Sequence, residues 1–308
     1  MIYLHHYPAS LFSEKIRVML GYLDLSWKSV VIPNIMPRPL LMPLTGGYRK
    51  TPCLQIGANI YCDTSVIARG LARHAGDETL FAKGFVASRV AEWADTQLFR
   101  VTVALNFAPE AVGSMMSQLS SAEIEAFMKD RAALSEGSPI QRFSAEAAGA
   151  YLDSYLTELE ASLEAFFLFG DRPCIADFSL YHCLWFLENN ETNAKRLERF
   201  LAVRGLMARM AAFGHGEVEE ASGEEALVHA KESEPSLPIL TDASPRTIGL
   251  GDTVEVMPVD YGLIPVKGVL RAHSVEEIVI EREAPEVGRV LTHFPNAGFE
   301  ITRCAGES

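Results

Sequence analysis

The chain has 308 residues, 48% of them hydrophobic and 22% charged, with a formal net charge of -13. That length and apolar content suffice for two or three domains, each with its own core. The acidic balance opposes binding to nucleic acid or to an anionic membrane, no stretch has the roughly 18 uninterrupted apolar residues of a membrane span, and the N-terminus has no basic leader or long apolar region, so a cytoplasmic protein is expected.

The opening "MIYLHHY" alternates and is β-prone, and "SLFSEKIRVMLGYL" places Phe12, Ile16, Met19, Leu20 and Leu23 at helical spacing behind a Ser at the N-cap. "SWKSVVIP" reads as a second strand. Prolines and a glycine pair in "NIMPRPLLMPLTGGYRK" predict a loop with at most a short helical turn. "PCLQIG" and "NIYC" predict a hairpin around Gly57 and Ala58, and "DTSVIARGLARHAG" a helix closed by Gly76. The order β-α-β, loop, β-β-α over residues 1–76 is the thioredoxin-like arrangement.

Residues 81–213 carry helical periodicity in five segments and predict an all-helical second domain. Residues 214–244 are acidic and poor in large apolar side chains, which predicts a solvated linker with one loose helix near "GEEALVHAK". Residues 245–304 hold short β-branched runs such as "TVEVMPV" and "EEIVIERE", broken by Gly, Pro or charge. They predict a small antiparallel, barrel-like unit. The expected fold class is therefore α/β plus all-α with an appended β unit.

Five cysteines, Cys53, Cys62, Cys174, Cys183 and Cys304, show neither a CxxC pair nor metal-finger spacing. Free thiols and no metal site are expected. His5 and His6 close the first strand without a visible partner for a catalytic triad, so both are read as structural.

Three motifs in order, "YPASLFSEKIRVML", "RKTPCLQIG" and "YCDTSVIARGL", followed by "PCIADFSLYHCLWFL", give residues 1 to about 213 a resemblance to the glutathione S-transferase family, as a serine-type, bacterial-like member. The resemblance implies glutathione as co-substrate, a small electrophile as second substrate, no metal, and a homodimer built on the closing helix of the first domain and the first helix of the second. It also implies the roles of particular residues. Pro52 would be the cis-proline, and Thr51 before it would present its backbone N–H and C=O to the cysteinyl backbone of glutathione. The γ-glutamyl end carries an ammonium and a carboxylate, which Asp63 and Thr64 at a helix N-terminus could meet, although an ordinary N-cap looks the same. Lys50 would reach the glycyl carboxylate; a solvated loop lysine is its plain alternative.

A thiol of ordinary pKa near about 8.5 needs a hydroxyl hydrogen bond and a helix N-terminus to become a thiolate nucleophile. Ser10 occupies that position, with Ser13 one turn further on and Tyr7 near the strand as alternatives. The second domain's first helix would line the electrophile site through Trp93, Gln97 and Arg100, residues whose spacing equally fits a core face. Asp177 is expected to cap a buried helix, with Cys174 standing where the family has Ser or Thr. The implied activity is attack of the glutathione thiolate on a small electrophile. The alternative is a non-catalytic glutathione-binding or scaffold protein of the same fold.

Overall fold

In the computed structural model, residues 1–117, 119–238 and 248–304 are described. The end of the expected linker and the first residues of the expected β unit, 239–247, lie outside them.

β1 (Ile2–His6) is buried along its whole length. His5 bonds Gln55 and His6 bonds Ser29, and burial lowers their pKa values to about 4 and about 3, so both are neutral structural groups, as expected. α1 (Leu11–Tyr22) starts at Ser10, whose Oγ accepts the Ser13 N–H. β2 (Ser26–Val31) runs parallel to β1. The proline-rich loop holds one short helix, α2 (Met42–Thr45). β3 (Cys53–Ile56) pairs with β1 and turns at Gly57, φ +60°, into β4 (Asn59–Cys62). α3 (Thr64–Ala75) ends at Gly76 in the left-handed conformation that releases a helix.

The helical region runs through α4 (Gly84–Trp93), a π-helical turn over Ala94–Leu98, α5 (Phe99–Asn106), α6 (Pro109–Met115), α7 (Ser121–Leu134), α8 (Ala145–Ser162), α9 (Ile175–Glu188), α10 (Glu191–Leu197) and α11 (Leu201–Ala211). Nearly all of α9 is buried. Asp177 accepts the backbone N–H groups of Leu168 and Cys174, so the cap survives with Cys174 as the N-cap residue.

The stretch expected as a solvated linker is instead laid against the first domain. β5 (Glu217–Glu220) adds to β2 in parallel, and α12 (Gly223–Glu232) buries Ala226 and Ala230. The solvated reading came from the glutamates of β5, which are exposed and blunt a sheet edge with charge.

Five strands follow: β6 (Thr253–Pro258), β7 (Val266–His273), β8 (Glu277–Ala284), β9 (Gly288–Pro295) and β10 (Phe299–Arg303), in the order β10-β6-β7-β8-β9. β9 and β10 stand at opposite ends of that order, yet only residues 296–298 join them. Four Cα steps reach about 15 Å at most. The outer strands of a flat five-stranded sheet stand about 19 Å apart. The unit therefore has to curl, helped by an irregularity between Leu270 and Ala272 and by Gly268, where a Cβ would lie 2.8 Å from the Glu281 carbonyl oxygen.

This curled sheet is not a separate module. β9 pairs in parallel with β4, giving one ten-stranded sheet, β10-β6-β7-β8-β9-β4-β3-β1-β2-β5. One core lies between the first domain and the helices, around Leu4, Ile16, Leu54 and Phe178. The other joins Leu44, Tyr48 and Ile60 to Val256, Ile280 and Phe294 of the β unit. At the seam, His293 bonds Glu277 at 2.6 Å and Asn59 at 3.0 Å, stacks on Tyr61, and Arg73 of α3 pairs with Glu277. Arg69 pairs with Glu276, so part of the α3 face expected in a dimer contact is occupied by the chain itself.

Candidate active site

A cavity of about 1030 Å³ opens where the first domain, the helical region and the β unit meet. The start of α1 contributes Phe12 and Lys15, the loop before β3 contributes Lys50, Thr51 and Pro52, and the start of α3 contributes Asp63 and Thr64. The five residues weighed for glutathione in the sequence thus share one wall: Lys50, Thr51, Pro52, Asp63 and Thr64. Ser10, Ser13 and Tyr7 are not part of it.

The Thr51–Pro52 peptide bond is cis. Arg38 holds this loop from behind, donating to Thr51 Oγ1 at 2.9 Å and to the carbonyls of Pro33, Asn34 and Arg49. Among the described residues the backbone N–H and C=O of Thr51 form no backbone hydrogen bond, which leaves them for an extended ligand.

Asp63 has φ +98° and ψ 139°, a conformation that costs a non-glycine residue about 1–3 kcal/mol. It is held there by joining β4 to α3 and by its own Oδ1, which accepts the Ser65 N–H at 2.9 Å. Burial raises its pKa against the lowering influence of that N–H and of Lys50 and Lys15. A nearby cation would stabilise this carboxylate more than it would one already in water.

Ser10 is buried, and its Oγ accepts the Ser13 N–H at 3.2 Å. A hydroxyl has one O–H donor and two acceptor sites, so this cap leaves the donor unspent. Ser13 is fully buried and its Oγ has no partner among the described residues. Tyr7 is half-buried, with Arg38 over its ring.

Other groups in the wall were not legible in the sequence. Lys15, fully buried, bonds Asp95 at 2.7 Å and Thr64 Oγ1 at 3.2 Å. Asp95 lies in the π turn, where one extra residue per turn redirects side chains. It also receives Ser179 and bonds His182 at 2.9 Å. Burial alone would raise the Asp95 pKa, but the charge of Lys15 and the bond to His182 outweigh it and hold the pKa low. A charged residue on a mostly apolar helix face is the only sequence sign that Lys15 needs a buried partner.

The β unit reaches the same wall. Asp260 pairs with Lys50 at 2.5 Å, and the Lys50 ammonium lies 4.0 Å from the centre of the Tyr261 ring. Both residues sit between β6 and β7, in a stretch with no site signature.

Of the helix residues weighed for the electrophile half, Arg100 lines the cavity, whereas Trp93 and Gln97 do not; Trp93 packs edge-on against Tyr155. The described cysteines are all free. Among the described residues no group of three or more His, Cys, Asp or Glu side chains is placed to hold a metal ion, and no helix is long and apolar enough to cross a membrane.

Residues 4–79 match the family of glutathione S-transferase N-terminal domains. A solved GST-like protein from Pseudomonas syringae is 37% identical, with a TM-score of 0.82 over 98% of this chain and 100% of that one. The similarity thus includes the appended β unit. A glutathione S-transferase from Rhodospirillum rubrum F11 is 15% identical, with a TM-score of 0.51 over 69% of this chain and 88% of that one, a likeness of fold alone. No curated protein matches the chain. A shared N-terminal family, and a relative alike from end to end, place this chain in the glutathione S-transferase family.

Proposed function

We propose that the protein is a glutathione transferase whose cavity binds glutathione and presents its thiolate to a small electrophile. The observation that carries this reading is the convergence of Thr51, Asp63 and Thr64 with the start of α1 in one cavity. The γ-glutamyl ammonium is assigned to Asp63, its carboxylate to the N-terminus of α3, and the cysteinyl backbone to Thr51. Ser10 donates its unspent O–H to the thiolate, with Ser13 and Tyr7 as the alternative donors.

A second reading, a glutathione-binding or scaffold protein without turnover, is favoured by two observations. Ser10 is buried outside the cavity wall, and Lys50, the candidate partner of the glycyl carboxylate, is already paired with Asp260. Retention on immobilised glutathione, followed by a conjugation assay across several electrophile classes, separates the two. Retention with turnover supports the enzyme; retention without turnover supports the binder; no retention overturns both.

The protein is further proposed to act in the cytoplasm as a homodimer. Because α3 is partly covered, the contact falls mainly on α4, whose Phe85 and Val86 are exposed.

A further inference from the structure

The charges lining the cavity can be matched one against another. Lys15 is held by Asp95, Lys50 by Asp260, Arg69 by Glu276 and Arg89 by Glu92. Among the described residues this leaves Asp63, Arg100 and Arg142 in the wall without an opposite charge at ion-pair distance. Asp63 already has an assigned partner in the ammonium of glutathione. The two arginines do not.

Arg100 is oriented without being neutralised. It donates to the Gln141 carbonyl at 2.5 Å and to Gln97 Oε1 at 3.3 Å, and its guanidinium lies 4.9 Å from the centre of the Phe143 ring. All three partners are uncharged, and its Nε is buried without an acceptor. Arg142 is exposed and follows Gln141 in the loop between α7 and α8. In a chain of net charge -13, two unmatched cations in one cavity are not a consequence of a basic surface. The same cavity is lined by a row of rings: Phe12 lies 4.9 Å from Phe99, and Phe99 lies 6.5 Å from Tyr261, centre to centre.

We propose that this half of the cavity is a receptor for a carboxylic acid with an aromatic or unsaturated apolar body. Arg100 and Arg142 take the carboxylate, and Phe12, Phe99 and Tyr261 take the body. The planar guanidinium fork suits a carboxylate, and offset ring contacts suit an aromatic body. The appended β unit thereby shares in substrate choice, because Tyr261 is one of the three rings. The proposal rests on the glutathione reading only in naming the acid as the second substrate.

The test is calorimetry on the full chain with trans-cinnamate and its neutral isostere cinnamamide, each with and without glutathione. Cinnamate should bind about tenfold or more tightly than cinnamamide, the usual gain for hydrogen bonds to a charged group. The double variant Arg100→Gln, Arg142→Gln should bind both at the affinity of the amide, with an unchanged circular dichroism spectrum and unchanged glutathione affinity. Equal affinities in the wild type, or a preference that survives in the double variant, overturn the proposal. If the double variant does not fold, Arg142→Gln alone carries the test: a several-fold loss for cinnamate supports the proposal and no loss overturns it. Preference for the acid in a protein that does not bind glutathione would refute the transferase reading and leave this receptor standing.

Discussion

Replacing Asp63 by asparagine separates folding from binding at one carboxylate. Asparagine is as good an N-cap as aspartate and tolerates positive φ comparably, so α3 and the φ of +98° should persist. Burial raises the pKa of Asp63, which means that folding disfavours its ionised form. A carboxylate whose folded pKa lies above its unfolded one costs stability progressively as pH rises through that interval. At pH 7 the asparagine variant should therefore melt at or above the wild-type temperature. Binding should go the other way. Oδ1 is committed to the Ser65 N–H, and the remaining oxygen is the one available to the ammonium of glutathione. Losing a hydrogen bond between charged groups costs about 1.5–3 kcal/mol, or roughly 10- to 150-fold in affinity. Calorimetry at pH 7 with a parallel thermal melt measures both. Wild-type affinity should also fall as pH drops through the raised pKa of Asp63, and the variant should lose that dependence. A folded variant with wild-type affinity would refute the assignment of the γ-glutamyl end to Asp63.

On the proposed role of Ser10 as thiolate donor, Ser10→Ala should lower turnover more than glutathione affinity, because its hydroxyl would meet only the reacting sulfur; a larger loss in Ser13→Ala, in parallel steady-state kinetics, would move the donor one helical turn. Asp260→Asn removes the carboxylate that neutralises Lys50, so if Lys50 reaches the glycyl carboxylate, calorimetry should show glutathione binding several-fold tighter, about 1 kcal/mol. Glu277→Ala should cost about 3 kcal/mol in denaturant unfolding, since it strands buried His293 and frees Arg73 at the β4–β9 seam. Burial would raise the Glu277 pKa, yet His293 and Arg73 hold it low, so its stabilising contribution is present near neutral pH and is lost as pH falls through that lowered value. Light scattering at micromolar concentration should give the mass of a dimer, and Phe85→Asp should shift it toward the monomer.

The elements of the first domain were legible because each is specified locally. Apolar period, the Ser10 cap, the Gly57 turn and the Gly76 stop all act within a few residues of the position they decide. The β unit was legible as strands for the same reason, through period-2 alternation. The linker misled because charge density reports solvent contact, and β5 is both exposed and hydrogen-bonded along one edge. A row of glutamates looks the same on an edge strand as on a free chain.

The site divides along the same line. Thr51, Pro52, Asp63 and Thr64, which line the cavity, could be singled out as candidates because a strand entrance and a helix entrance fix them within their own segments. Lys15 with Asp95, 80 positions apart, and Lys50 with Asp260, 210 apart, could not be found in this way. Buried ion pairs form wherever the fold brings opposite charges together out of water, and nothing in the sequence near either partner names the other. The sequence by itself determined the strands and helices of the first domain and the strands of the last unit, and singled out the strand entrance at Thr51–Pro52 and the helix entrance at Asp63–Thr64. Only the tertiary structure decided that the last five strands extend the first sheet and that their loop neutralises Lys50, because strand pairing and charge pairing across such separations are properties of packed surfaces, not of local runs.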